Sequence, residues 1–119
     1  MRLDWECVRA ILTALEDLPE QDGRLAPGDV PGWAPQVVSY HVEVLAEAGL
    51  LKAQCVRALG AQTLCLAQRL TFAGHELLDA MRQATLWNRV KARVRDAGLS
   101  LSVEAVKLAA SGLIKELLQ

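Results

Sequence analysis

The chain is predicted to be mainly α with one small β-hairpin standing out as a wing. Three observations carry that prediction. Val38, Val42 and Leu45 recur at i, i+4 and i+7, the stripe of an amphipathic helix. Gly49 and Leu50 then close that helix in a Schellman-type turn. Two apolar-rich strands follow, Leu50–Arg57 and Thr63–Leu70, around a turn at Ala58–Gln62 in which Gly60 supplies backbone freedom.

The remaining elements follow in order. Asp4 is a good N-cap, Glu6 favours the positive end of a helix, and Leu3 with Val8 forms a hydrophobic staple. The stripe Val8, Ile11, Leu12 and Leu15 runs until Pro19 stops it. Residues 19–35 carry Gly23, Pro27, Gly28, Pro31, Gly32 and Pro35, which predicts loop with room for a short strand near Arg24–Ala26 or Asp29–Val30. A helix in that stretch is expected to be very short or replaced by extended chain. Trp33 is expected to plug the core beside a helix over Ala34–Ala48.

Past the hairpin, Thr71 caps a helix from Phe72 to about Arg82, with Leu77, Leu78 and Met81 inward. Thr85 is expected to cap the next, whose stripe is Leu86, Val90 and Val94, and Gly98 with Leu99 closes it. Ser102 caps the last helix, with Leu101 and Val106 as staple and Val106, Ala110, Leu113, Ile114 and Leu117 as stripe. This order is that of a winged helix-turn-helix followed by C-terminal helices. It divides into a winged-helix domain of residues 1–70 and a helical region, 71–119, packing on it.

The net charge of −1 hides an asymmetry: residues 1–50 carry −6 and residues 51–119 carry +5. Attraction to nucleic acid would come from the second half. No apolar run approaches the ~20 residues of a membrane span, so a cytoplasmic protein is expected. Cys7, Cys55 and Cys65 are odd in number and lack CxxC spacing, which fits a reducing compartment. Cys55 and Cys65 flank the hairpin turn, where they can lie near each other across the strands, and are expected to serve in core packing rather than redox sensing. By alternation Cys55, Leu64 and Leu66 suit one face of the hairpin, and Gln54, Arg57 and Gln68 suit water. His41 is expected to be a partly buried, hydrogen-bonded histidine. No ligand-spaced Cys or His, Ser/His/Asp arrangement, paired catalytic carboxylates or phosphate-cradling loop is present. The expectation is no metal, no cofactor and no catalysis.

The candidate recognition surface is the outer face of the 34–48 helix. By spacing, Gln36, Ser39, Tyr40, Glu43 and Glu47 lie on it. Gln36 and Ser39 are placed to reach base edges, and Tyr40 a phosphate or sugar. On the wing, Arg57 joins them, with Lys52 and Arg69 as the other cations. From Arg82 to Arg95 there are five cations (Arg82, Arg89, Lys91, Arg93 and Arg95) and no acid. The i, i+4 repulsion of Arg89 with Arg93 and of Lys91 with Arg95 is relieved against phosphate or an acidic partner.

The segments VSYHVEVLAEAGLL, RLTFAGHELLDAMR and TLWNRVKARV resemble an uncharacterised family of short bacterial and prophage proteins, a domain of unknown function. The resemblance covers nearly the whole chain. Its most specific parts are Ser39-Tyr40-His41, Ala48-Gly49-Leu50, Leu70-Thr71, Gly74-His75-Glu76-Leu78 and Trp87. VSYHVEVLAEAGLL is also similar to the third helix of arsenic-responsive and multidrug-responsive bacterial repressors. There the resemblance implies a major-groove helix in a dimer. The chain departs from those repressors in its Pro/Gly-rich 19–35 segment and in the acids on the groove-facing side.

Three functions fit these residues. The first is a small DNA-binding transcriptional regulator of phage or mobile-element type, reading double-stranded DNA as a homodimer paired through Ala109-Ala110-Ser111-Gly112, Leu113 and Leu117. The second is a non-catalytic module that engages a host or phage protein. The third is a ligand-sensing regulator with a pocket near Trp33 and Trp87.

Overall fold

A computed structural model describes residues 1–19, 23–57, 60 and 62–118. The first helix, α1, spans Trp5–Glu16, and the Asp4 carboxylate accepts the Glu6 N–H at 2.9 Å. Cys7, Val8, Ile11, Leu12 and Leu15 form its buried stripe, and Leu3 packs partly buried against the same core. Beyond it, Leu25 exchanges two backbone hydrogen bonds with Ala67, making a one-residue third strand beside the hairpin. A single 3₁₀ turn, Pro27–Asp29, is the one helical element described between α1 and α2, tied by the Ala26 N–H donating to the Asp29 carboxylate at 2.9 Å. Residues 20–22 of the predicted loop lie outside the described residues. Trp33 is half-buried against the core.

Helix α2 spans Pro35–Glu47 and buries Val38, Val42 and Leu45. Its end is the expected one. Gly49 has φ 77°, a left-handed conformation cheap only for glycine, and the Leu50 N–H reaches back to the Leu45 carbonyl at 3.0 Å. Strands β1 (Leu51–Val56) and β2 (Leu64–Leu70) follow as an antiparallel pair. The turn between them falls mostly on 58, 59 and 61, outside the described residues. Gly60 has φ 73°.

The hairpin corrects two expectations. Cys55 shares its face with its partner Cys65 and is exposed, but Leu64 and Leu66, expected on that same face, turn to the other one, and Cys65 and Ala67 are the fully buried residues of β2. The cause is a bulge. Lys52 faces Arg69 but Ala53 faces Ala67, so Gln68 is an extra residue, and one extra residue inverts every side chain beyond it. Cys55 and Cys65 are also not separate packing thiols. The register sets them opposite one another, Cα to Cα 4.1 Å, and they form a disulfide, leaving Cys7 free and buried.

Helix α3 spans Phe72–Arg82, and Thr71 binds it to the hairpin. The Thr71 hydroxyl accepts the Gly74 N–H at 3.1 Å and donates to the Gly49 carbonyl at 2.6 Å; its own N–H donates to Leu50 O at 3.1 Å. Helix α4 spans Ala84–Asp96, and its cap is not Thr85. One extended residue, Gln83, ends α3 and starts α4, so Thr85 already lies inside the first turn. Helix α5 spans Val103–Leu117 with Ser102 accepting the Ala105 N–H at 3.2 Å. It buries Val103, Val106, Ala109, Ala110 and Leu113, but Leu117, expected in the same stripe, is 59% exposed. One continuous core holds residues of all five helices and both strands.

Candidate interaction surface

Helix α2 sets the first surface. Positions 36, 40, 43 and 47 step along one side, where Gln36 and Glu47 are exposed and Tyr40 and Glu43 half-buried. Against this side stands the hairpin end. Arg57 donates through Nε to the Thr63 hydroxyl at 2.8 Å and through Nη2 to the Glu43 carboxylate at 3.3 Å. The result is a groove of about 350 Å³ lined by Met1, Gln36, Ser39, Tyr40, Glu43, Arg57, Gln62 and Thr63. Four predicted residues, Gln36, Ser39, Tyr40 and Arg57, thus meet in one place.

Ser39 is a correction. It is 5% exposed, and its hydroxyl accepts the Cys65 N–H at 3.3 Å. Its Oγ supports β2 from beneath the groove, since 39 lies three residues from 36 but turns toward the hairpin rather than away from it. Sequence reading also missed Gln62 and Thr63, whose place beside α2 is set by the hairpin register, a non-local fact.

His41 lies behind the same helix, fully buried. The Asp4 N–H donates to its Nε2 at 2.9 Å, and its Nδ1 is 2.8 Å from the Val37 carbonyl. An amide can only donate and a carbonyl only accept, so the ring carries its proton on Nδ1. The histidine therefore holds the start of α1 against α2. One residue on, the Trp5 Nε1–H donates to Leu101 O at 3.2 Å and the Trp5 ring meets Trp87 edge-on at 5.6 Å. The first five residues run from the α2 groove to the α4–α5 corner.

That corner carries the second surface, a groove of about 430 Å³ lined by Asn88, Lys91, Arg95, Leu99, Ser100 and Leu101. The Lys91 ammonium stands 5.7 Å from the Trp87 ring centre. Neither Trp33 nor Trp87 lines either groove. The predicted cation run is divided. Arg82 pairs with Glu16 and, at 3.7 Å, with Asp79; Arg93 makes a two-pronged bond to Glu116 at 3.0 and 3.1 Å. These guanidiniums hold the Glu16 and Glu116 carboxyls below the usual range. Among the described residues no ion pair engages Arg89, Lys91 or Arg95.

Burial, and then the Asp4 charge, push the Cys7 thiol up to about 11, so it is a poor nucleophile at neutral pH. Among the described residues no group of three or more metal-ligating side chains gathers, and no helix is long and apolar enough to cross a membrane.

Comparison with known proteins gives two matches. A family described as "Hypothetical protein (DUF2513)" matches residues 2–100. An "Uncharacterized protein" of Haemophilus influenzae (strain ATCC 51907 / DSM 11121 / KW20 / Rd) is 38% identical over 118 residues, covering 99% of each chain. No solved structure matches.

Proposed function

Since the chain belongs to the DUF2513 family of hypothetical proteins, we propose from its surface that it is a non-catalytic protein-interaction module. The docking face is α2 with the hairpin wall. The observation that carries this reading is the charge of that face. Its outer stripe is Gln36, Tyr40, Glu43 and Glu47, and the cationic side chain that lines the groove, Arg57, is already engaged by Glu43. Phosphate neutralisation supplies most of the affinity of a typical DNA reader, through roughly 6–10 contacts. Of the six cations assigned to that work, Arg57, Arg82 and Arg93 sit in intrachain ion pairs. The three left over would give a log–log salt slope of about −2.7, or roughly fortyfold between 50 and 200 mM salt.

A photo-crosslinking residue at position 36 tests the reading. One discrete protein adduct in cells, lost on Glu43→Lys with Glu47→Lys, is the expected result. Tight duplex binding with a slope steeper than about −5 would overturn it.

A second reading, a winged-helix DNA-binding regulator of phage or mobile-element type, is favoured by one feature. Among the described residues Arg89, Lys91 and Arg95 of α4 make no ion pair, and a homodimer would double them. It requires the chain to be a dimer by light scattering at tens of micromolar. Arg89→Ala with Lys91→Ala must also cut the salt slope by about two-thirds.

A further inference from the structure

We propose that the Cys55–Cys65 bond is a reversible thiol–disulfide exchange site that sets the stiffness of the hairpin wall of the α2 groove. Its regulatory use rests on the reading above; the exchange does not.

Three features of the hairpin carry the inference. The two cysteines face each other across β1 and β2, so the ladder keeps them opposite one another when reduced and the bond can re-form. Their environments differ: Cys55 is exposed and Cys65 fully buried, so an incoming thiolate meets the Cys55 sulfur first. The bond also lies next to the groove. The Cys65 N–H donates to Ser39, and two residues from each cysteine stand Arg57 and Thr63, joined at 2.8 Å. Ser39, Arg57 and Thr63 all line the groove. Among the described residues the ladder beyond the disulfide has one further pair, Val56 with Leu64, both side chains exposed, so the covalent bond and the Arg57–Thr63 hydrogen bond are what tie the strands there.

The chemistry is exchange with a dithiol. One thiolate of the dithiol attacks Cys55 Sγ; the Cys55–Cys65 bond breaks, and Cys65 leaves with the electron pair and takes a proton. The second thiol of the reagent then attacks the mixed disulfide. That step releases the Cys55 thiolate and closes the reagent's own disulfide. The dithiol loses two electrons and the protein gains two.

Cys7 supplies an internal control. It is fully buried in α1, so it is alkylated only when the molecule unfolds. The experiment treats the folded chain with dithiothreitol, follows alkylation by intact mass, and follows amide hydrogen exchange across residues 51–57 and 62–70. The expected result is two added alkyl groups, at Cys55 and Cys65, while Cys7 stays unlabelled. Hairpin amides should then exchange about a hundredfold faster, the factor that closure entropy assigns to a loop of this size, while α1 and α3 amides keep their rates. Cys55→Ser with Cys65→Ser should reproduce the fast exchange without reductant. Labelling of all three cysteines together, or hairpin exchange unchanged by reduction, would overturn the proposal. Position-36 crosslinking repeated in both redox states separates the two ideas. Opening without a change in adduct retains the exchange site and removes its regulatory use; no adduct in either state overturns the docking reading alone.

Discussion

Gly74→Ala should destabilise the protein by about 3 kcal/mol, although the substitution puts a better helix former inside a helix. A Cβ built on Gly74 meets Leu50 O at 1.9 Å, Leu50 C at 3.0 Å and Leu70 Cδ2 at 3.4 Å. An ordinary carbon–oxygen contact needs about 3.3 Å, so two backbones must separate by about 1.4 Å. The oxygen in the way is not idle. Leu50 O accepts the Thr71 N–H, and Thr71 also bonds Gly49 O and caps α3 through Gly74 N–H. Overpacking costs about 1–3 kcal/mol, and the cap and strained hydrogen bond about 1 each. Alanine's propensity returns about 1. Urea unfolding checks the value, and a thermal scan should fall by roughly 10 °C or more. Gly112→Ala is the control: its Cβ would stand 3.7 Å from the flexible Arg93 guanidinium, so it should gain about 0.5–1 kcal/mol. If Gly74→Ala costs under about 1 kcal/mol, the close approach of α3 to the α2–β1 corner is wrong.

Other outcomes follow from the same geometry. His41→Ala removes a fully buried ring and leaves Asp4 N–H without its partner, so it should cost about 2–4 kcal/mol; Trp5 emission should shift as well, and an unmoved spectrum would count against the junction. Arg93 lowers the folded Glu116 carboxyl, so that pair's contribution is present above the usual carboxylate range and lost as pH falls through the depressed folded value. The stability gap between the wild-type chain and Glu116→Gln, read as urea midpoints from pH 6 down to pH 3, should therefore narrow with acid; a constant gap refutes the coupling. In the native, oxidised chain at pH 8, Cys7 should resist iodoacetamide for hours, since only a small fraction is thiolate and none of it is accessible; labelling within minutes would mean α1 opens readily.

What the sequence carries well is local. The caps Asp4, Thr71 and Ser102 and the Gly49-Leu50 close all stand as expected, because each depends on residues within one turn. The prolines and glycines of 19–35 predict a helix that is very short or replaced by extended chain, and among the described residues there only the 3₁₀ turn Pro27–Asp29 forms. The failures are non-local. Nothing near Gln68 announces a bulge, yet it decides which of Cys65 and Leu66 faces the core. The ion pairs Arg82–Glu16 and Arg93–Glu116 span 66 and 23 residues, so two of the five cations in a run that reads as free are spent within the molecule. Ser39 shares a helical side with Gln36 by spacing alone; the hairpin that covers it comes 26 residues later.

The strap of residues before and at the start of α1 makes the chain its own optical sensor. His41 on α2 grips Asp4, and the neighbouring Trp5 lies edge-on to Trp87 at the far corner. A partner that shifts α2 must drag Asp4 along or break a bond to a buried ring, and either event disturbs the indole pair. Docking at one end of the molecule thereby becomes visible, without any label, in the ultraviolet emission of the other.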